Sequence, residues 1–277
     1  MTEAIKVVTF INIVFIILLV ISGSIQGFVG EAVYYLAFLL PVLIGFYSAK
    51  DLRYKREEIA GIAEAEDKLL TFDGKRALKL LPLIAPLVTV IFAISVLTSL
   101  LLSLFGVEGS AIENEGLISM ILAHAVVPAL FEELLFRYIP LKLLLPYSRR
   151  WCVFYSSLCF ALIHCSFLQM PYAFVAGIAF MLLDVAFGSV WPSVILHFVN
   201  NSASVIASKY CTGPISMTVF VSTLLVLSIV SLAFVFIKKD SYKKLLRGTL
   251  AKGETTAVTY APLALAAICC YAAFLNI

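Results

Sequence analysis

Six polar or ionisable side chains interrupt otherwise apolar stretches of this chain, and their types are those that can hydrolyse a bond with water. They are Glu132, Glu133, Arg137, His164, His197 and Asn201. Glutamate and histidine can act as general bases, while imidazole and amide N–H groups can stabilise an oxyanion. Because ionisable side chains are costly inside a membrane, these residues are candidates for a functional site.

The two adjacent glutamates differ in the partners that a helix would give them. Glu133 and Arg137 are four residues apart, so they share a helical face and can form an ion pair. Glu132 projects about 100° away around the helix and lacks this partner. Because two adjacent carboxylates resist joint ionisation, Glu132 becomes the candidate general base. The alternative is that the three side chains form a structural polar cluster between helices.

The neighbours of His164 and His197 in the sequence also indicate what these two side chains can do. His197 and Asn201 are four residues apart and share a face, whereas Asn200 lies on a different face. The alternative role of this pair is to join helices through hydrogen bonds. His164 precedes Cys165, but adjacent residues project about 100° apart on a helix, which disfavours a Cys–His nucleophile.

Glu132, His164 and His197 can reach a common layer of the membrane. A rise of about 1.5 Å per residue places Glu132 and His164 each roughly 20 Å from the cytoplasmic end of its helix, and His197 roughly 10 Å. Together with Asn201, these side chains could activate water and stabilise an oxyanion. His124 precedes Glu132 by about two turns and could line the same site, although a structural role is favoured.

The elements that must hold these residues are membrane-spanning helices. The 277-residue chain is 62% hydrophobic and only 13% charged, whereas soluble domains carry about 25% charged residues. Since a spanning helix needs about 20 mostly apolar residues, the sequence predicts an all-α, polytopic transmembrane bundle of eight or nine spans. The segments are 6–24, 31–49, 78–105, 116–145, 151–168, 171–187, 190–209, 215–237 and 256–275. The sequence has no basic surface with interleaved aromatic residues, which argues against nucleic acid as a partner.

The positions of lysine and arginine predict the orientation of the chain. Connections 50–77, 146–150 and 238–254 contain most of the basic residues, and counting spans places all three on one side of the membrane. The positive-inside rule therefore predicts a multi-pass cell-membrane protein with a cytoplasmic N-terminus and an extracytoplasmic C-terminus.

Three motifs in this order resemble the CPBP family of intramembrane proteases, named for CAAX proteases and bacteriocin-processing enzymes and also called the Abi family. EELLFR fits an EExxxR motif, FALIH fits FxxxH, and HFVNN fits HxxxN. The run GSVWPSVILH before the third motif is also similar to that family. The resemblance divides the chain into N-terminal spans with cytoplasmic loop 50–77 (1–115), a CPBP-like catalytic core (116–208), and C-terminal spans with basic loop 238–254 (209–277).

The resemblance implies a helical bundle with a polar cavity open to the cytoplasm. It also implies an endopeptidase that hydrolyses a peptide bond of a membrane-associated peptide or protein. In this family pattern, Glu132 and His164 would activate the attacking water. His197 and Asn201 would bind the oxyanion.

The remaining motif residues and a metal-dependent alternative also follow from the resemblance. Glu133 and Arg137 would support Glu132. In the alternative, Glu132, His164 and His197 would hold a divalent metal, with zinc expected, because Glu–His–His is an ordinary ligand set for catalytic zinc. The mechanism that requires no cofactor is preferred, because Arg137 already supplies positive charge beside the glutamates.

Two other functions stay open. The chain could be a family member that acts as a membrane scaffold or bacteriocin-immunity protein without proteolysis. Buried Glu, His and Arg also mark ion paths, which makes an ion-coupled transporter the third hypothesis. Inverted repeats would favour a transporter, and the sequence contains no convincing repeat. The sequence selects neither a substrate nor an oligomeric state.

Overall fold

The structure, a computed structural model, describes residues 1–60, 69–74, 86–87, 89–98, 101, 104, 116–211, 213–240, 265–267 and 269. This part of the chain forms helices and connecting turns and contains no strand, which confirms the all-α class for the described residues. The helices are α1 Thr2–Ser24, α2 Phe28–Ala60, α3 Thr89–Thr98, α4 Leu117–Leu144, α5 Arg149–Leu162, α6 Met170–Phe187, α7 Trp191–Tyr210 and α8 Pro214–Ile237.

Five of these helices, α1, α2, α4, α6 and α8, are long and apolar enough to cross a membrane. The chain is therefore a multi-pass membrane protein. Helix α7 has 20 residues but carries the His and Asn side chains of the third motif. Helix α5 has 14 residues, about 21 Å, which is shorter than the hydrocarbon core of about 30 Å. The count of eight or nine spans stays a prediction, and half of segment 78–105 and most of segment 256–275 lie outside the described residues.

Two helix boundaries differ from the predicted spans. Helix α2 continues to Ala60, so the first part of the predicted loop 50–77 is helical. Helix α5 ends at Leu162, although the sequence predicted a span to residue 168. It ends there because the N–H groups of His164 and Cys165 bond back to carbonyls three residues earlier, and Cys165 adopts a φ of 45°. A turn over residues 163–169 then leads into α6.

The antiparallel helices α1 and α2 pack side by side and contact α4. The Phe15 ring of α1 makes edge contacts with Phe38 of α2 at 5.1 Å and with Phe136 of α4 at 5.9 Å between centroids. Gly45 of α2 lies directly against the Ile139 side chain, where a Cβ would not fit. Lipid tails are as apolar as these side chains, so no hydrophobic driving force brings the helices together. Close packing of this kind stabilises their association instead.

Helices α5 and α6 form the hairpin that carries His164. A Cβ at Gly177 of α6 would lie 3.0 Å from Ser157 Cα, so the absence of a side chain there lets the two helices approach closely. Ser156 of α5 donates a hydrogen bond to the Phe136 carbonyl of α4. These contacts fix α5 against both of its neighbours.

The junction between α6 and α7 contains a buried carboxylate. Gly188 ends α6 with a φ of 63°, and Pro192 lies in the first turn of α7. Asp184 accepts hydrogen bonds from the backbone N–H of Ser193 at 3.1 Å and from its hydroxyl at 2.6 Å. Asp184 is fully buried, where its carboxylate accepts a free N–H group at the start of the next helix. This bond fixes the start of the helix that carries His197.

Candidate active site

The first motif begins in α-helical turns of α4 and continues into the second of two π-helical segments. These segments are Leu122–Val126 and Leu134–Tyr138, and the α-helical turns Val127–Glu133 separate them. Single turns of π-helix occur frequently at functional sites, because they change which residues share a face. Glu133 and Arg137 are both fully buried, and Arg137 Nε lies 3.2 Å from Glu133 Oε2, which is the ion pair that the spacing predicted.

His197 lies between the two glutamates. Its Nδ1 is 2.7 Å from Glu133 Oε1, and its Nε2 is 3.8 Å from Glu132 Oε2. Because a carboxylate oxygen only accepts, Nδ1 carries the hydrogen of the shorter contact. Glu133 therefore holds the ring so that Nε2 faces Glu132. Glu133 thus contacts both His197 and Arg137, and its support of Glu132 stays a prediction of the resemblance.

The Arg137 guanidinium has aromatic rings on its faces as well as a carboxylate beside it. It lies 4.4 Å from the centroid of Phe160 and 5.6 Å from that of Phe180, and its Nη1 donates to the Phe136 carbonyl at 3.1 Å. Guanidinium–ring contacts and an ion pair together offset part of the cost of burying this charge. Arg137 thus connects the first motif to the second motif, which contains Phe160.

His164 lies in the turn after α5, and its ring orientation is fixed by the helix end. Its Nδ1 is 2.8 Å from the Phe160 carbonyl, which can only accept, so Nδ1 is the donor. In a neutral ring, Nε2 then has a free lone pair and can act as a base. The Phe160 ring makes edge contacts with both His164 and His197, at 5.1 and 5.7 Å between centroids.

The Asn201 side chain donates one hydrogen bond and accepts another. Its Nδ2 donates to the His124 carbonyl at 3.0 Å, and its Oδ1 accepts from Asn200 Nδ2 at 3.3 Å. An amide nitrogen has two hydrogens, so a second N–H of Asn201 is available beyond the bond to His124. The sequence placed Asn200 on a different face, but its side chain reaches the neighbouring amide.

One cavity of about 290 Å³ brings these side chains together. Glu132, His164, His197 and Asn201 all line it. Further lining residues that the sequence did not assign to a site include Tyr34, Ser95, Gln169, Tyr172 and Asn200, and His124 lines it as well. Tyr34 and Ser95 come from α2 and α3, outside the three motifs, so no local pattern could indicate them.

One carboxylate oxygen of Glu132 makes no hydrogen bond within the described part of the chain. Its Oε2 is buried and has no hydrogen-bond partner among the described residues. The separation of 3.8 Å from His197 Nε2 exceeds a hydrogen bond, so His197 does not satisfy this oxygen. Glu132 therefore keeps an acceptor oxygen on a side chain that lines the cavity.

The cavity extends toward one end of the bundle. Tyr34, Ala123 and Gln169 line it near the first residues of α2, α4 and α6, whereas the buried Arg137 and Asp184 lie toward the opposite end. In the orientation that the basic loops predict, the first residues of these three helices face the extracytoplasmic side. The resemblance predicts a cavity open to the cytoplasm. In this fold, the orientation predicted from the basic loops is therefore incompatible with a cavity that opens to the cytoplasm.

The residues of the alternative zinc site do not form a ligand set in this arrangement. Within the described part of the chain, no group of three or more His, Cys, Asp and Glu side chains is positioned to hold a metal ion. Glu132, His164 and His197 all line the cavity.

Comparison with protein families identifies the segment that carries the site. Residues 114–203 match the family of the type II CAAX prenyl endopeptidase Rce1-like proteins, and this segment contains all six motif residues. Comparisons with curated proteins and with solved structures gave no match. The matched segment covers α4, α5, α6 and most of α7. Residues 114–203 thus match an Rce1-like family model, in agreement with the resemblance of the three motifs to the CPBP family of membrane endopeptidases.

Proposed function

We propose that this protein is an intramembrane endopeptidase that hydrolyses a peptide bond of a membrane-associated peptide or protein. The observation that carries the proposal is the single cavity shared by Glu132, His164, His197 and Asn201. In it, the unpartnered Glu132 Oε2 is an acceptor for the attacking water. The match to a CAAX endopeptidase family supports the same reaction class.

Water activation is assigned to Glu132 and His164. Glu132 accepts one proton of the water, and the free Nε2 of His164 orients the molecule by accepting a hydrogen bond. The water oxygen forms a bond to the carbonyl carbon of the substrate and gives a tetrahedral oxyanion. The proton held by Glu132 then passes to the amine nitrogen as the C–N bond breaks, which leaves a carboxylic acid and a free amine.

Stabilisation of the oxyanion is assigned to His197 and Asn201. The second N–H of Asn201 is one donor. His197 Nε2 becomes the other donor when the ring is protonated, and the Glu133 carboxylate on Nδ1 stabilises that charged ring. When Glu132 and Glu133 are ionised and Arg137 and His197 are positively charged, these four side chains together carry no net charge. A set of side chains without net charge costs less to bury.

The test uses full-length protein in lipid nanodiscs with quenched fluorogenic peptides, both farnesylated C-terminal peptides and unmodified ones. Removing the base should lower kcat by at least about 10²-fold, so we expect Glu132→Gln and His164→Ala to lose cleavage while remaining folded. Lys6→Met, at an exposed ion pair far from the cavity, is the matched control. Cleavage that persists in Glu132→Gln would refute the assigned site. A wild-type protein that cuts no peptide would instead favour a scaffold or immunity function.

Metal dependence is tested on the same preparation. We propose that no cofactor is required, because the donors present do not form a ligand set. Cleavage should then survive prolonged chelation, and elemental analysis should find less than one metal ion per chain. Loss of activity on chelation, restored by zinc and abolished in His197→Ala, would establish the metal-dependent alternative.

The side from which substrate enters is proposed from the basic loops of this chain, which favour the extracytoplasmic side. The test needs a variant in which Cys211, at the end of α7, is the sole cysteine and a second in which Ser189→Cys is the sole cysteine. A membrane-impermeant maleimide added to intact cells should label Cys211, and the Ser189→Cys variant only after permeabilisation. The reverse pattern would place the cavity on the cytoplasmic side, as the family resemblance implies.

A further inference from the structure

A chain of two asparagine amides lies along the wall of the cavity, and its direction is fixed. The His124 carbonyl can only accept, so Asn201 must present its Nδ2 to it, at 3.0 Å. Asn201 Oδ1 therefore faces Asn200 and accepts from Asn200 Nδ2 at 3.3 Å. Both amides are thereby oriented by one backbone carbonyl, without freedom to exchange their oxygen and nitrogen atoms.

The last atom of this chain is an acceptor with no donor. Asn200 lines the cavity, and its Oδ1 is buried without a hydrogen-bond partner in the described part of the protein. A buried carbonyl oxygen without a donor costs free energy, and native structures rarely leave one. An N–H or O–H group of a molecule in the cavity would supply this missing donor.

An extended peptide presents the complementary pair of groups. Each peptide unit carries a carbonyl acceptor and an N–H donor, and neighbouring units repeat them at short spacing. Asn201 offers an N–H and the adjacent Asn200 offers an oxygen, so the two side chains can bind one carbonyl and one N–H of the same backbone. This complementarity goes beyond the oxyanion role of Asn201.

We propose that Asn200 Oδ1 binds a backbone N–H of the peptide substrate next to the scissile bond. The inference rests on the proposed endopeptidase function. It makes Asn200 a substrate-binding and specificity-determining residue. Peptides whose backbone nitrogen at that position carries no hydrogen, because it is N-methylated or belongs to proline, are poor substrates. The buried oxygen of Asn200 then stays without a donor.

The experiment combines backbone changes in the substrate with a change at Asn200. A quenched peptide that the wild type cuts is prepared in a series, each member carrying one N-methyl group at an amide near the scissile bond. One member should lose about 10–100-fold in kcat/KM with the wild type, the effect expected for one hydrogen bond to a buried acceptor. Asn200→Ala should raise KM more than it lowers kcat, and in this variant the same N-methyl group should cost less than about 3-fold.

A control variant separates binding from local structure. Ser204 also lines the cavity, and its hydroxyl donates to the Asn200 backbone carbonyl at 3.1 Å. Ser204→Ala should keep the full N-methyl penalty, because it leaves the Asn200 side chain in place. If Asn200→Ala does not yield folded protein, Asn200→Ser serves as the second variant, since its shorter side chain cannot reach the same donor.

The outcomes distinguish this inference from the proposed function. Equal N-methyl penalties in wild type and Asn200→Ala would overturn it and leave Asn200 with only the task of orienting Asn201. In that case Glu132-dependent cleavage would still support the endopeptidase. If the wild type cuts no peptide, or if Glu132→Gln cuts as well as the wild type, the proposed function fails and this inference fails with it.

Discussion

Replacing Arg137 with methionine removes the cation that compensates a buried carboxylate. Arg137 and Glu133 are fully buried, with Nε and Oε2 3.2 Å apart. At that separation, Coulomb's law with an effective dielectric constant of about 20 gives about 5 kcal/mol. Removing one member of a buried pair costs about 3–5 kcal/mol in measured cases. We therefore expect Arg137→Met to lower the free energy of unfolding by this amount, which corresponds to a Tm decrease of roughly 10 °C.

The assay is thermal unfolding in nanodiscs, followed by the fluorescence of Trp151 and Trp191. The double variant Glu133→Gln/Arg137→Met should be more stable than Arg137→Met, because it leaves no uncompensated charge in the interior. Lys6→Met breaks an exposed ion pair of 2.9 Å with Glu3, so its effect should stay below about 1 kcal/mol. An Arg137→Met protein as stable as the wild type, or a double variant less stable than the single one, would contradict the reasoning.

Three further predictions concern the oxyanion donor and the helix contacts that position the site. Asn201→Leu removes a donor and should lower kcat by about 10²–10³-fold with little change in KM, measured by steady-state kinetics on a peptide that the wild type cuts. Asp184→Asn weakens two hydrogen bonds at the start of α7 and should lower the unfolding free energy by about 1–3 kcal/mol, measured by thermal unfolding. Gly177→Val should reduce the yield of monodisperse protein on size exclusion, because its Cβ would lie 3.0 Å from Ser157 Cα. Gly23→Val is the control, since nothing lies within 4 Å of a Cβ there.

Much of the helical framework follows from local sequence. Helix α4 was predicted as 116–145 and runs from Leu117 to Leu144, because an apolar segment of this length satisfies its backbone only as a helix in lipid. The Glu133–Arg137 ion pair followed from a spacing of four residues, and helical geometry determines that spacing without any other part of the chain. The end of α5 did not follow, since Ile163 and His164 are apolar or aromatic residues that a helix could include.

The third motif shows which contacts helical periodicity predicts and which it misses. Its spacing correctly placed His197 and Asn201 on one face, and both line the cavity. The same reasoning separated Asn200 from Asn201 by about 100°. In the structure the two side chains nevertheless form a hydrogen bond of 3.3 Å, because flexible side chains can bend toward each other when a third group orients one of them. Here that group is the His124 carbonyl, on another helix.

The sequence by itself determined the membrane class, the helical segments around the motifs, and the six residues with the chemistry for hydrolysis. Composition and spacing suffice for these, because they depend on local geometry and on the cost of polar groups in lipid. Only the tertiary structure decided that Glu133 bonds to His197 while Glu132 keeps a free oxygen, and which end of the bundle the cavity faces. These properties depend on how α4, α6 and α7 pack against one another, and packing between distant segments leaves no periodic signal in the chain.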